Sequence, residues 1–248
     1  MTAAAVTFFL IFVRVSALLS SVPGFSARGV PRHVPILGGV VLAAIIAPNA
    51  PMTTPPAHLG ALAVAVVGEA VLGLMAGLCV HVVFSAMASA CDLVSQQIGL
   101  GLGGTLDPFL EHSDSPLGIL GSWMTVLGFF GSGLHHTCLE AVAESVFAVP
   151  PGTVTHLAID ELPRAIGSAY ALAISLAAPV VAFTLTINTF VAVLGRLAPR
   201  MNAFFAIGTT VTAITGTLMF VEALPWVTSV HQAALAESVR ALPGLWGR

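Results

Sequence analysis

Residues 59–91 read LGALAVAVVGEAVLGLMAGLCVHVVFSAMASAC, and Glu69 and His81 are the only acidic or basic side chains in it apart from its two cysteine thiols. A helix needs about 20 apolar residues to cross a hydrocarbon core of roughly 30 Å. At 1.5 Å per residue this run reaches roughly 50 Å if straight. It must therefore tilt strongly, break, or project beyond the bilayer while packed on protein. A break frees backbone groups that lipid cannot satisfy, so any break should face protein or water. The run at 117–149 is over-long in the same way.

Working outward, further apolar segments fall at about 3–21, 34–48, 165–195 and 203–225, which makes six in all. Pro23, Pro31, Pro48 and the stretch from Pro51 to Pro56 punctuate the first three, as expected where helices must stop. No strand-like alternation of polarity appears, which argues against a membrane β-barrel. The N-terminal run lacks a basic flank and carries Arg14 within it, so it reads as a retained first helix rather than a cleaved signal. Trp226 and Trp246 flank a mildly amphipathic tail, 226–248, suited to an interfacial helix or to packing on a partner. The expected fold class is an all-α polytopic membrane protein of long, bent helical hairpins. The expected organisation is one integral membrane domain over 1–248.

Composition agrees. Hydrophobic residues make up 57% of the 248 and charged residues 8%, against about 25% charged in a soluble domain. Membrane lipid or partner protein must cover what polar side chains cannot. All eight basic residues are arginines and they are scattered, so no nucleic-acid footprint is present. Arg28, Arg32, Arg196 and Arg200 fall on one side of a six-span arrangement, and Arg164, Arg240 and Arg248 on the other, a division too even to orient the chain. Cys79, Cys91 and Cys138 lack any paired spacing and read as small buried hydrophobes.

Few residues could carry chemistry. Glu69, Gly73 and Gly77 share one helical face, and the two glycines form a small-xxx-small pair that permits close helix contact. Glu69 reads either as a gate or ion-relay carboxylate or as a hydrogen-bonded interhelical contact. The second is favoured, because buried polar groups are usually satisfied structurally. Arg14 poses the same question, and a carboxylate on another helix is its expected partner. His136, Glu140 and Glu144, with His135 beside them, lie along one helical stripe. The stripe lacks the H-E-x-x-H spacing and any further ligand set, so it reads as a water-facing or subunit-facing surface rather than a metal site. The linker 99–116, GLGLGGTLDPFLEHSDSP, is acidic and glycine-rich. Its glycines do not follow a strand, which excludes a dinucleotide motif. It reads either as a solvated loop or as a pore-lining or gating loop, in which Gly99, Gly101, Gly103 and Gly104 let backbone bend and pack closely. No nucleophile–base set or phosphate loop emerges, so no enzyme activity, cofactor or metal is expected.

Taken in order, the scattered residues resemble the FliR/SctT family, export-gate subunits of the flagellar and injectisome type III secretion systems. Arg14, Pro23, Pro31 and Pro48 resemble its opening frame, and Glu69, Gly73 and Gly77 its E-x-x-x-G-x-x-x-G helix. Phe84, Cys91, Asp92, Gln97, Gly99, Asp107 and Pro108 resemble its most distinctive run, followed by Ser115, Pro116 and Leu117. Ser145, Phe147 and Pro150 match the close of the next segment. Ala178, Pro179, Arg196, Pro199, Met201, Asn202 and Phe204 match its later signatures. Arg200 stands where the family usually has glutamine, and Cys91 where glycine is common.

The resemblance implies a non-enzymatic subunit of a protein-export gate in the bacterial inner membrane, within a flagellar basal body or injectisome base. Its partners would be FliP-like, FliQ-like and FlhB-like subunits and unfolded export substrates. The loop 99–116, with Gly99, Gly101, Gly103, Gly104, Asp107 and Pro108, would be the channel plug. Arg14, Glu69, Gly73, Gly77, Gln97, Pro179, Arg196, Pro199 and Asn202 would be packing or interface residues. The rival reading is a stand-alone secondary transporter or ion channel using Glu69 and the His136–Glu144 stripe.

Overall fold

A computed structural model describes residues 2–26, 31, 33–54, 56, 58–100, 115–153, 161–197 and 203–246. Every regular element among the described residues is helical. In chain order these are α1 (Ala3–Ser21), α2 (Pro23–Ser26), α3 (His33–Ile46), α4 (Leu59–Gln97), α5 (Pro116–Gly131), α6 (Leu134–Ala148), α7 (Glu161–Leu197) and α8 (Ala203–Ala241). Short 3-10 turns follow α3 at Ala47–Asn49 and α8 at Leu242–Leu245.

Four helices are long and apolar enough to cross a membrane, or five if the bent pair α5–α6 is one span. The protein is thus an all-α polytopic membrane protein, as expected. The two over-long segments resolve differently. The first is one unbroken helix, α4, of 39 residues. The second breaks between Gly131 and Leu134 with a bend of 68°. Gly133 makes the break possible, because its φ of +74° is a left-handed conformation that side-chain-bearing residues rarely adopt. The backbone there is not orphaned: the Ser132 N–H donates to Gly128 O at 2.9 Å, and the His136 N–H to Gly133 O at 2.9 Å.

The final apolar segment also runs further than its sequence suggests. Helix α8 continues through Pro225 into the tail. Val227, His231, Leu235, Val239, Leu242 and Trp246 are buried in turn, a stripe of nearly four-residue period. Trp226 stays exposed, so the two tryptophans do not share one environment.

The described residues group into two compact units. The first comprises Met1–Phe84, Gly128–Gly167 and Ala234–Arg248. In it α1 packs against α3, with Gly39 seated on Ser16. Helix α4 runs parallel to α1: Ala65 packs on Val6 and Leu10, Gly73 on Ala17, and Gly77 on Ser21. His81 Nδ1 closes the series at 2.8 Å from Ser21 O. Phe25, Phe84, Phe129 and Phe130 form an edge-to-face cluster with centroids 5.4–6.2 Å apart.

The second unit comprises Ser85–Leu127 and Ser168–Ala233. Its core joins Met87, Ala90, Cys91, Val94 and Ile98 of α4 to Leu176, Ala177 and Val180 of α7 and to Phe220 and Val227 of α8. Gly121 of α5 seats on the Cys91 thiol, and Gly216 of α8 on Ile98 and Thr184. Small residues at these contacts matter because lipid-facing helices associate through close packing and polar bonds rather than water exclusion.

Candidate functional site

The polar centre of the first unit is built on Arg14. Its position on α1 lies among Leu10, Ile11, Val15 and Leu18, all buried, so the helix must carry a cation inward. Arg14 Nε donates to Glu69 Oε2 at 2.5 Å, and the two side chains are 1% and 2% exposed. Arg14 Nη1 donates to the Ser145 carbonyl near the end of α6 at 2.8 Å. The second carboxylate oxygen, Glu69 Oε1, accepts the Gly152 N–H at 2.8 Å. One ion pair thus ties α1, α4, α6 and the turn after α6. Of the Arg14 guanidinium nitrogens, Nη2 is buried with no hydrogen-bond partner among the described residues.

The turn is shaped for this task. Thr153 N–H donates to Pro150 O at 3.1 Å, and Gly152 has a φ of +84°. Proline at the second position and glycine at the third are the type II turn pattern, which aims the glycine N–H at the carboxylate. Gly73 completes the site. A Cβ there would collide with the Arg14 carbonyl and lie 2.9 Å from Ala17 Cβ. At Gly77 it would lie 2.5 Å from Ser21 Cβ and 2.9 Å from Leu18 O. The glycines bring α1 and α4 close enough for Arg14 and Glu69 to meet. With both oxygens of the carboxylate engaged by donors, the pair suits static cross-linking of helices better than proton exchange.

A second polar junction ties the C-terminal end of the 99–116 linker to α4. Ser115 Oγ donates to Asp92 Oδ1 at 2.5 Å and accepts the Gly118 N–H at 3.0 Å. Ser115 is therefore the N-cap of α5, with Pro116 at the first helical position, where its missing N–H costs nothing. Gly118 carries no Cβ because the Asp92 carboxylate occupies that space. Gly99, at the other end, has a φ of +86°, with no neighbouring atom within 4 Å of a Cβ there among the described residues.

The remaining expected residues are dispersed. Gln97 is half-buried at the end of α4, Pro179 half-buried inside α7, and Arg196 exposed in its last turn. Gly101, Gly103, Gly104, Asp107, Pro108, Pro199 and Asn202 lie outside the described residues. His136, Glu140 and Glu144 are exposed on α6, and the His135 and His136 ring centroids lie 3.9 Å apart with the planes tilted by 38°. No group of three metal-ligating side chains occurs among the described residues.

Sequence reasoning missed Gly152 and the donor role of the Ser145 carbonyl's partner, Arg14 Nη1. The Pro150–Pro151–Gly152–Thr153 run is a turn signal that could have located the former. Nothing in the sequence points to a backbone carbonyl as a ligand.

An arginine–glutamate pair buried across parallel apolar helices, with glycines one and two turns after the carboxylate, accounts for the E-x-x-x-G-x-x-x-G frame. That frame belongs to a match along nearly the whole chain: residues 5–238 fit the family model for bacterial export proteins, family 1. The chain is a member of that family. Among curated relatives, the flagellar biosynthetic protein FliR of Caulobacter vibrioides is 28% identical over 204 residues, covering 79% of this chain and 80% of the relative. The FliR of Escherichia coli is 25% identical over 218 residues, covering 87% and 83%. The Yop proteins translocation protein T of Yersinia pestis is 26% identical over 171 residues, covering 67% and 66%. The chain is therefore an export component of the membrane, similar to proteins of flagellar and translocation systems alike.

Proposed function

We propose that this chain, acting as one unit over 1–248, is a non-enzymatic subunit of a type III protein-export gate in the bacterial inner membrane. In this reading it joins FliP-like, FliQ-like and FlhB-like subunits and contributes helices to the wall of the channel for unfolded substrates. The loop 99–116 is its plug, at the base of a flagellum or an injectisome. The observation that carries the reading is the family match over residues 5–238. Helices of 37 to 39 residues support it, because each exceeds one bilayer crossing and needs protein cover beyond it. So does the Asp92–Ser115 bond, which ties the start of α5, where the loop ends, to α4.

A stand-alone transporter using Glu69 has less support, because Arg14 and Gly152 already occupy both oxygens of that carboxylate. The test is to shorten the 99–116 loop in the assembled gate and measure ion leak across the membrane. Leak with the complex still assembled supports the plug. A tight membrane with the loop shortened contradicts it.

A further inference from the structure

Helix α8 carries one charged residue between 203 and 236, Glu222, and it is exposed. Its depth follows from the pairing of α8 with α7. Thr212 Oγ1 donates to Asn188 Oδ1 at 2.8 Å, Gly216 seats on Thr184, and Gly208 seats on Val191. Further along, Phe220 and Val180 share one core. The helices are antiparallel, and this register sets Glu222 level with Ala178 and Pro179. Pro179 lies about 22 Å along the helix from Arg164 and about 25 Å from Arg196, the arginines bounding the uncharged run of α7. Glu222 is thus far from either end of the hairpin's apolar band.

The carboxylate also points away from the core. Phe220 and Val227 face inward, while Leu218, Val221 and Trp226, on the side of Glu222, are 62%, 54% and 48% exposed. Pro225 compounds the need for a donor, because it has no N–H to give the Val221 carbonyl one turn before it. Lipid tails offer no hydrogen-bond donor to an anion or a carbonyl. Nor do the described residues supply a cation to the carboxylate. The chain has no lysine. Of the described arginines, Arg14 pairs with Glu69 and Arg164 with Glu161, and Arg196 and Arg240 lie in the last turns of α7 and α8.

We propose that Glu222 is a docking point for a lysine or arginine side chain on a helix of a neighbouring subunit. Leu218 and Trp226 frame the contact one turn to either side. The cation neutralises the carboxylate and donates to it, which makes the apolar face around it specific for one partner helix. This inference rests on the multi-subunit reading above.

The test uses the full chain in its native membrane, with a photo-reactive residue at Leu218 in one set and Glu222→Gln, Glu222→Asp or Glu222→Arg in another. The expected adduct is a peptide of another membrane subunit with a lysine or arginine inside an apolar run. Glu222→Gln and Glu222→Arg should lower recovery of that subunit roughly 10-fold or more, and Glu222→Asp should retain most of it. Reversing the cross-linked cation to glutamate should restore recovery with Glu222→Arg. Adducts to lipid alone, or full recovery with Glu222→Gln, overturn the docking point while leaving the multi-subunit reading standing. If the wild-type chain recovers no partner subunit at all, both fall.

Discussion

The Arg14 guanidinium and the Glu69 carboxylate, 55 residues apart in sequence, meet at 2.5 Å with almost no exposure to the surroundings. A pair this deep contributes little net stability against an apolar pair of equal volume, because both ions lose their hydration. Its physical consequence lies in the asymmetry. Either partner alone is a buried, uncompensated charge.

Glu69→Met should therefore destabilise the first unit by roughly 3–5 kcal/mol, and Arg14→Met by a similar amount. The double variant Arg14→Met, Glu69→Met should recover most of that loss. Thermal melting of the purified chain in detergent, compared across the four proteins, measures the coupling directly. Additive losses in the double variant would mean the pair is not a unit.

The glycines of α4 predict a steep positional contrast. Gly73→Ala places a methyl group against the Arg14 carbonyl and Ala17, and should cost about 1–3 kcal/mol. Gly167→Ala, in a helical stretch of α7 with nothing within 4 Å, should be neutral or stabilising by up to about 1 kcal/mol. Denaturation midpoints of the two variants side by side would refute the close-packing argument if Gly73→Ala were as mild as Gly167→Ala.

At the break between α5 and α6, Gly133→Ala should cost about 1–2 kcal/mol, because alanine resists a φ of +74°. Gly131→Ala, two residues earlier and also in open space, has no such conformational demand. Equal losses at the two positions, read from melting temperatures, would argue that the left-handed turn is not what shapes the bend.

Ser115→Ala removes both the α5 N-cap and the bond to Asp92, and should cost about 1 kcal/mol locally. Hydrogen exchange at the Gly118 amide reports it. Faster exchange confined to the first turn of α5 is the expected result, and unchanged protection would contradict the cap.

Much of this fold is written in the apolar runs. All six segments appear as helices or helix pairs, because a stretch of apolar residues in lipid can satisfy its backbone only by coiling. The excess length of 59–91 and 117–149 announced that something must bend or protrude. Which one breaks is a local matter: Gly131, Ser132 and Gly133 fall together in the second, whereas Gly73 and Gly77 stay helical because α1 packs on them. The Glu69 partner was half-legible, since Arg14 was the one cation inside the first apolar run. The rest of the site was not, because Ser145 contributes a carbonyl that every residue possesses, and Gly152 an N–H aimed only by its turn. The extension of α8 past Pro225 escaped notice for a related reason. Proline removes one hydrogen bond, but the buried stripe from Val227 to Trp246 holds the helix together beyond it.

The central claim, that this chain is one subunit of an export gate, is tested most directly by native mass spectrometry. The tagged full-length chain would be co-expressed with the FliP-like and FliQ-like proteins of its own organism and released in mild detergent. A discrete complex containing all three is the predicted result. A stable particle of this chain alone, unaltered by the other two, would contradict the account.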